Sequence, residues 1–303
     1  MTPATDIFLR IASIIFPVLV IVVIGWLYGR KVGPENRAGW TWVNLINVQL
    51  LCPLLVFSAL ASKDFNLAEN LPLLAAAFAI VLGSGLLAWP VALLTRQQIR
   101  TFVPPMMFNN CGNMGLPLAV LAYGQIGLGP AVAMFVVSNF LHFTVGNKMV
   151  NAGVSVWGAL THPMILATAA GLLCASFNIT LPSAIYLPIK MIGDASIPLM
   201  LLALGVRLVD GDFKDWKVGL LGAVARPLVG LLIALPCAWI LPLTPTQHGL
   251  VFLFASLPPA VLNFIIAERY KQQPEKVASI VLIGNIASLI FVPLGLLIGL
   301  QTG

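Results

Sequence analysis

The sequence predicts an all-α polytopic membrane protein. Ten transmembrane helices form two inverted five-helix repeats, with helices four and nine broken where they cross. Three observations carry this reading. The 303 residues are 59% hydrophobic and only 9% charged, with a mean hydropathy of +0.99; soluble domains carry about 25% charged residues. Apolar runs of about 20 residues, enough to cross the hydrocarbon core, recur along the whole chain. A set of prolines, glycines and asparagines also returns, in order, 145 or 146 positions later.

The spans fall at 9–29, 41–61, 70–94, 98–123, 128–149, 161–177, 185–208, 217–241, 246–268 and 277–300. Only Arg10 precedes the first apolar run. Trp26, Tyr28, Gly29, Arg30 and Lys31 follow it, with no small-residue cleavage site, so it is expected to be a retained span and not a signal peptide. The largest connections are Arg30–Trp40 and Val209–Lys217. Neither is long enough to fold alone, so the chain reads as one integral unit divided into 1–150 and 151–303. Tryptophans near span ends (Trp26, Trp40, Trp42, Trp157, Trp216) read as interface anchors. Cys52, Cys111, Cys174 and Cys237 lie in apolar runs without paired spacing, so neither a disulfide framework nor a metal site follows from them.

Orientation comes from the basic residues in short loops. Twelve of the 16 Lys and Arg lie at one set of span ends and three at the other, while Arg226 lies inside a span. The basic side is expected to be cytoplasmic, with both termini outside. The net charge of +6 is spread over span ends and not gathered in a patch, which argues against a nucleic-acid partner. The expected surroundings are the lipid bilayer.

Span four contains Phe108–Pro117, FNNCGNMGLP. Pro117 has no backbone N–H to donate, and Gly112 and Gly115 make the backbone permissive. A helix carrying this insert breaks near the midplane, and broken backbone at that depth is tolerated only where it is buried in protein or lines a wet cavity. Asn110 and Asn113 offer amide donors there without the cost of a buried charge, and the positive end of a half-helix attracts an anion.

The repeat supports the same point. Pro17 and Pro163, Gly25 and Gly171, Pro90 and Pro236, and Asn139 and Asn285 each lie 146 apart, and Pro53 and Pro198 lie 145 apart. At this offset Phe108–Pro117 maps onto Phe254–Asn263, FASLPPAVLN, which Pro258 and Pro259 interrupt. A five-span unit repeated once inserts its second copy upside down, and paired interrupted helices mark a transporter's binding site.

The words FNNCGNMGLPLAVLAYG (108–124), ALASKDF (59–65), SIPLMLLALG (196–205) and ASLPPAVLNFIIAERY (255–270) resemble the auxin efflux carrier family. The likeness takes in its bacterial malonate and malate permease branch and, more distantly, the plant PIN-type carriers. The resemblance implies a substrate carboxylate at the crossing of spans four and nine. It also implies elevator movement of a transport domain (spans three to five and eight to ten) against a scaffold (spans one, two, six and seven), homodimerisation through the scaffold, and, for a bacterial member, the inner membrane. In the plant carriers an Asn seven residues before the span-four proline meets the carboxylate, and here that position is Asn110. Where a plant carrier often has a later proline in span nine, this chain has Asn263, which argues against auxin itself.

The candidate substrate-binding residues are therefore Asn110, Gly112, Asn113, Pro117, Asn139, Pro258, Pro259, Asn263 and Asn285. The glycines and prolines shape the break. Asn139 and Asn285 either line the crossing or make interhelical hydrogen bonds. Asp194 and Arg226 are the charges deep inside spans, and such charges are functional hypotheses. Either they pair with one another, or Asp194 carries H⁺ or Na⁺ and Arg226 attracts an anion. His142 reads as an interhelical hydrogen bonder, and His162 and His248, near the outer interface, have no assigned role. No Walker loop, HExxH pair or acidic cluster occurs, which argues against an ATP-driven pump and an intramembrane enzyme. The expected function is a secondary active or potential-driven carrier of small organic anions without a resident cofactor. The alternative is a channel or sensor for such anions without a transport cycle.

Overall fold

A computed structural model describes residues 3–153, 161–209, 211 and 213–302. Trp157 and part of the Val209–Lys217 connection lie outside the described residues. Apart from one isolated β-bridge, the regular structure among the described residues is helical. Seven helices are long and apolar enough to cross a membrane.

Helix α1 (Pro3–Ala38) runs through the region expected as the Arg30–Trp40 loop. It departs from helical geometry only at Gly33, at φ 73° and ψ 169°, a backbone conformation that a Cβ would oppose. Helix α2 (Trp40–Leu60) widens into a π turn over Asn47–Leu51. Pro53 just beyond lacks the N–H that a regular helix would use there. Helix α3 (Leu67–Leu94) starts at Asn66, whose side chain accepts from the Ala68 and Glu69 N–H groups at 3.0 and 3.4 Å.

Next come two half-helices, α4 (Ile99–Met107) and α5 (Cys111–Tyr123), followed by α6 (Gln125–Val150), α7 (Pro163–Ser176), α8 (Ser183–Leu208) and α9 (Trp216–Ile240). A second broken pair follows, α10 (Pro245–Ser256) and α11 (Val261–Arg269), and then α12 (Pro274–Thr302). Thr244 and Gln247 close a reciprocal capping box at the start of α10, with Pro245 at its first helical position. The Gln247 amide also donates to the Glu69 carbonyl at 2.8 Å, which ties the starts of α10 and α3 together.

The packing sorts the helices into two groups. Helix α1 lies along the second half of α8, and α7 lies against the second half of α2. In the other group α3 packs on α4, α6 and α9, and α12 packs on α9 and α10. The first group is closely approached at glycines. A Cβ on Gly205 would strike the α1 backbone at Trp26, and one on Gly171 would press on Leu60 of α2. Buried Phe102, Met106, Phe108, Leu250 and Phe254 surround the two helix breaks. The outer surface is apolar: Leu86 is 73% exposed and Trp239 92%, far more than a water-facing surface tolerates as a patch.

The Gly205 contact is with backbone, which cannot swing aside. Gly205→Val is expected to destabilise the protein by about 1–3 kcal/mol, read as a lower thermal-unfolding midpoint in detergent. The lipid-facing Leu86→Val serves as a control and should leave the midpoint near that of the parent.

Candidate functional site

The site is built from backbone first. Between α4 and α5, and again between α10 and α11, the chain is extended, with Phe108 at φ −101°, ψ 104° and Ala260 at φ −67°, ψ 141°. The two extended pieces run antiparallel. The Asn110 N–H donates to the Pro258 carbonyl at 2.8 Å, and the Ala260 N–H donates to the Phe108 carbonyl at 2.9 Å. Asn109 faces Pro259 across this bridge. The breaks therefore correspond at a separation of 150 (from Asn109 to Pro259), not at the 146 that relates the flanking spans. Four extra residues lie before the second break.

Side-chain amides complete the crossing. Asn109 Nδ2 donates to the Phe254 carbonyl at 2.6 Å, and Asn263 Nδ2 donates to the Phe108 and Ala260 carbonyls at 3.0 Å each. Asn110 Nδ2 donates to Asn285 Oδ1 at 2.9 Å. Asn285 Nδ2 in turn donates to the Val281 and Pro259 carbonyls at 2.8 and 3.2 Å. The carbonyls freed by each break thus find an amide from the opposite half or from α12.

The new N-termini are left open. Asn110 is the N-cap of α5 but its side chain caps nothing there. No backbone carbonyl among the described residues accepts from the N–H groups of Cys111, Gly112 and Asn113, nor from those of Val261 and Leu262 at the start of α11. All five residues line one cavity of about 150 Å³. Two positive helix ends, each equivalent to about half a charge, therefore converge on the same space. Asn110, Asn113 and Asn139 also line it. Asn139 Nδ2 is buried without a partner among the described residues, as is Asn109 Oδ1. A Cβ on Gly112 would come within 2.9 Å of the Phe135 ring, so glycine keeps this wall of the cavity close-packed.

Of the residues expected to bind, Asn110, Gly112, Asn113 and Asn139 line the cavity. Pro117, Pro258, Pro259 and Asn263 do not; they shape or fasten the crossing. Asn285 faces a larger vestibule of about 620 Å³, bordered by Trp40, Arg207 and Glu268. The expected Asp194–Arg226 pair does not form. Asp194 lies one helical turn from Lys190 on α8 and pairs with it at 2.6 Å, because residues four apart share a helix face. Arg226 is fully buried, and its Nη1 donates to the Ala255 carbonyl at the end of α10 at 3.1 Å.

Three residues that line the cavity were not read as such from sequence. His142 stacks on Phe108, with ring centroids 4.1 Å apart and planes 5° apart, and its Nε2 makes no hydrogen bond among the described residues. His162 borders the cavity too, stacked on Phe143 at 5.0 Å. Arg207, counted above as a loop cation, lines both cavity and vestibule. The available signal was a polar residue within a span: His142 seven residues from its end, His162 and Arg207 one residue from theirs.

The chain matches the membrane transport protein family over residues 11–154 and 148–296. The chain belongs to that family. It is the auxin efflux carrier family that the sequence resembled, a family of transporters and not of enzymes. A Rhizobium meliloti protein named "Putative malonate transporter" is 28% identical over 97% of each chain. An uncharacterized transporter of Methanothermobacter thermautotrophicus is 23% identical over 95% of this chain and 98% of its own. The auxin efflux carrier component 6 of Arabidopsis thaliana is 24% identical over 43% of this chain and 23% of its own. This transporter is therefore an integral membrane protein with several apolar spans.

Asn285→Ala removes the acceptor of Asn110 and one donor to the Pro259 carbonyl. Leaving buried polar groups unmatched costs about 1–3 kcal/mol, so its unfolding midpoint in detergent should fall clearly. Asn139→Ala removes an amide whose nitrogen has no partner and should lower the midpoint much less. Equal losses would contradict this division of labour.

Proposed function

We propose that this transporter carries small organic anions by alternating access, holding the substrate carboxylate at the crossing of the two broken helix pairs. The observation that carries this reading is the convergence of two uncapped helix N-termini, α5 and α11, on one amide-lined cavity. Free N–H groups with a favourable dipole are a ready anion site. Asn110, Asn113 and Asn139 supply side-chain donors, while Gly112, Pro117, Pro258, Pro259, Asn263 and Asn285 hold the shape. A relative's name, malonate transporter, agrees with a carboxylate substrate.

The architecture we infer has ten spans: the seven long helices, the two broken pairs α4–α5 and α10–α11, and the short α7. The two halves, 1–150 and 151–303, are inverted repeats. Supporting this, α1 packs on α8 as α7 packs on α2, and the two breaks meet antiparallel. The group α1, α2, α7 and α8 serves as a scaffold that pairs with a second copy, and the rest moves as an elevator. The basic end faces the cytoplasm of a bacterial inner membrane, with both termini outside. The cavity shares Asn44, Arg207, Val261 and Ile265 with the vestibule at the basic end. It shares no lining residue with a separate pocket of about 420 Å³ at the opposite end, around Lys63 and Lys190. This arrangement fits an inward-open state.

Among the described residues no Asp or Glu is buried. One atom of Asp194, Oδ1, is buried without a partner among the described residues, while Oδ2 is held by Lys190; in this reading the membrane potential drives the movement. One charge crossing 100 mV is worth about 2.3 kcal/mol.

Purified protein in liposomes should show saturable uptake of radiolabelled malonate that responds to an imposed potential. Asn110→Ala, checked for folding by size-exclusion chromatography, should reduce this uptake at least roughly tenfold. Parental uptake by well-folded Asn110→Ala would remove the crossing as the substrate site. Flux that never saturates would point to a channel.

A further inference from the structure

We infer that Arg207 binds a second carboxylate and so selects small dicarboxylates over monocarboxylates. This rests on the crossing being the anion site and adds a second, separate anchor to it.

Arg207 lies in the last turn of α8. A cation there is ordinary, since it meets the negative helix end. Its position is not ordinary. Among the described residues it is the only formally charged one on the wall of the 150 Å³ cavity, and it stands at the neck that the cavity shares with the vestibule. Its side chain is half-buried. Among the described residues its guanidinium has no hydrogen-bond or ion-pair partner. Glu268 borders the vestibule but not the cavity, and among the described residues no acid lines the cavity itself. The neighbouring Asn44 amide is already spent on the Trp40 carbonyl at 2.8 Å.

The two ends of the cavity thus suit two anions by different means. The inner end offers backbone N–H groups and amides around Asn110 and Asn113, which take one carboxylate. The neck offers a planar fork of N–H donors, which binds a carboxylate bidentately. The size limits what joins them. A cavity of 150 Å³ holds a molecule of about six non-hydrogen atoms, such as benzene. Two carboxylates separated by one or two carbons match that span. Arg207 belongs to the scaffold group and the crossing to the other group, so a dianion would bridge both.

Malonate and its monomethyl ester are nearly equal in size but differ by one negative charge, which makes them the test pair. In liposomes the parent should prefer malonate. Arg207→Gln should raise the KM for malonate roughly ten- to a hundredfold and leave the KM for the ester within about threefold. Arg207→Lys, which keeps the charge but loses the fork, should fall between. If Arg207→Gln does not fold, the malonate-to-ester ratio of Arg207→Lys is the readout. Equal effects on both compounds would overturn the assignment. So would a parent that carries the ester as well as malonate, or one that carries neither malonate nor succinate. Asn110→Ala should weaken both compounds alike. If it weakens neither while Arg207→Gln still discriminates, the crossing fails as the site and Arg207 stands.

Discussion

Two backbone hydrogen bonds, from Asn110 to Pro258 and from Ala260 to Phe108, hold the centre of this protein together. In the hydrocarbon region each unmatched backbone group costs several kcal/mol. A single broken helix could not satisfy its own loose ends. Two breaks laid antiparallel satisfy one another, which is why the second interrupted helix is as necessary as the first. The arrangement also leaves something over. Pairing uses the groups between the half-helices, but not the first N–H groups of α5 and α11. Those have no backbone carbonyl as acceptor among the described residues, and the residues that carry them line one cavity. The cavity is thus the remainder of a backbone problem that the fold solves only in part.

The C-terminal ends of the other two half-helices face the reverse difficulty, since they concentrate negative charge in the interior. For α10 the answer is Arg226. Its guanidinium meets the Ala255 carbonyl, while Nε and Nη2 have no partner among the described residues. A cation fully buried on these terms is costly. The cost is offset only if the charge compensates something, and the negative end of α10 is what it touches. A Cβ on Gly230, one turn along α9, would collide with the same carbonyl and the same guanidinium. Small residue, arginine and helix end form one unit. The Asp194–Arg226 pair, one of the two readings the sequence left open, does not form, because it rested on matched depth alone. Two residues at similar depth on different helices need not face each other, whereas Asp194 and Lys190 share a face by spacing.

Much of the fold was legible because its signals are local. Hydropathy reveals apolar stretches, and the gathering of Asn109, Asn110, Gly112, Gly115 and Pro117 in one span, with the Pro258–Pro259 pair in another, marks both as interrupted. The location of the break was legible for the same reason. What was not legible depends on contacts across the chain. Nothing in the 146-residue offset shows that the breaks themselves meet at Asn109 and Pro259. Nothing in the sequence around His142 shows that its ring lies flat on Phe108. Arg30–Trp40 looked like a loop because its charges end the apolar run, yet helix formation does not require apolar residues, and α1 continues to the turn at Gly33.

Asn139 and Asn285 show how a repeated sequence becomes an asymmetric site. They occupy equivalent places in the two halves, and a symmetric site would use them alike. Instead Asn285 is consumed: it accepts from Asn110 and donates to Val281 and Pro259. Asn139 keeps a free amide nitrogen and lines the cavity. Pro259 stands opposite Asn109, and its carbonyl, which the bridge leaves unused, accepts from Asn285 Nδ2. Asn285 is thus spent on fastening the crossing. The asparagines on the cavity wall, Asn110, Asn113 and Asn139 among them, come from the first half of the chain.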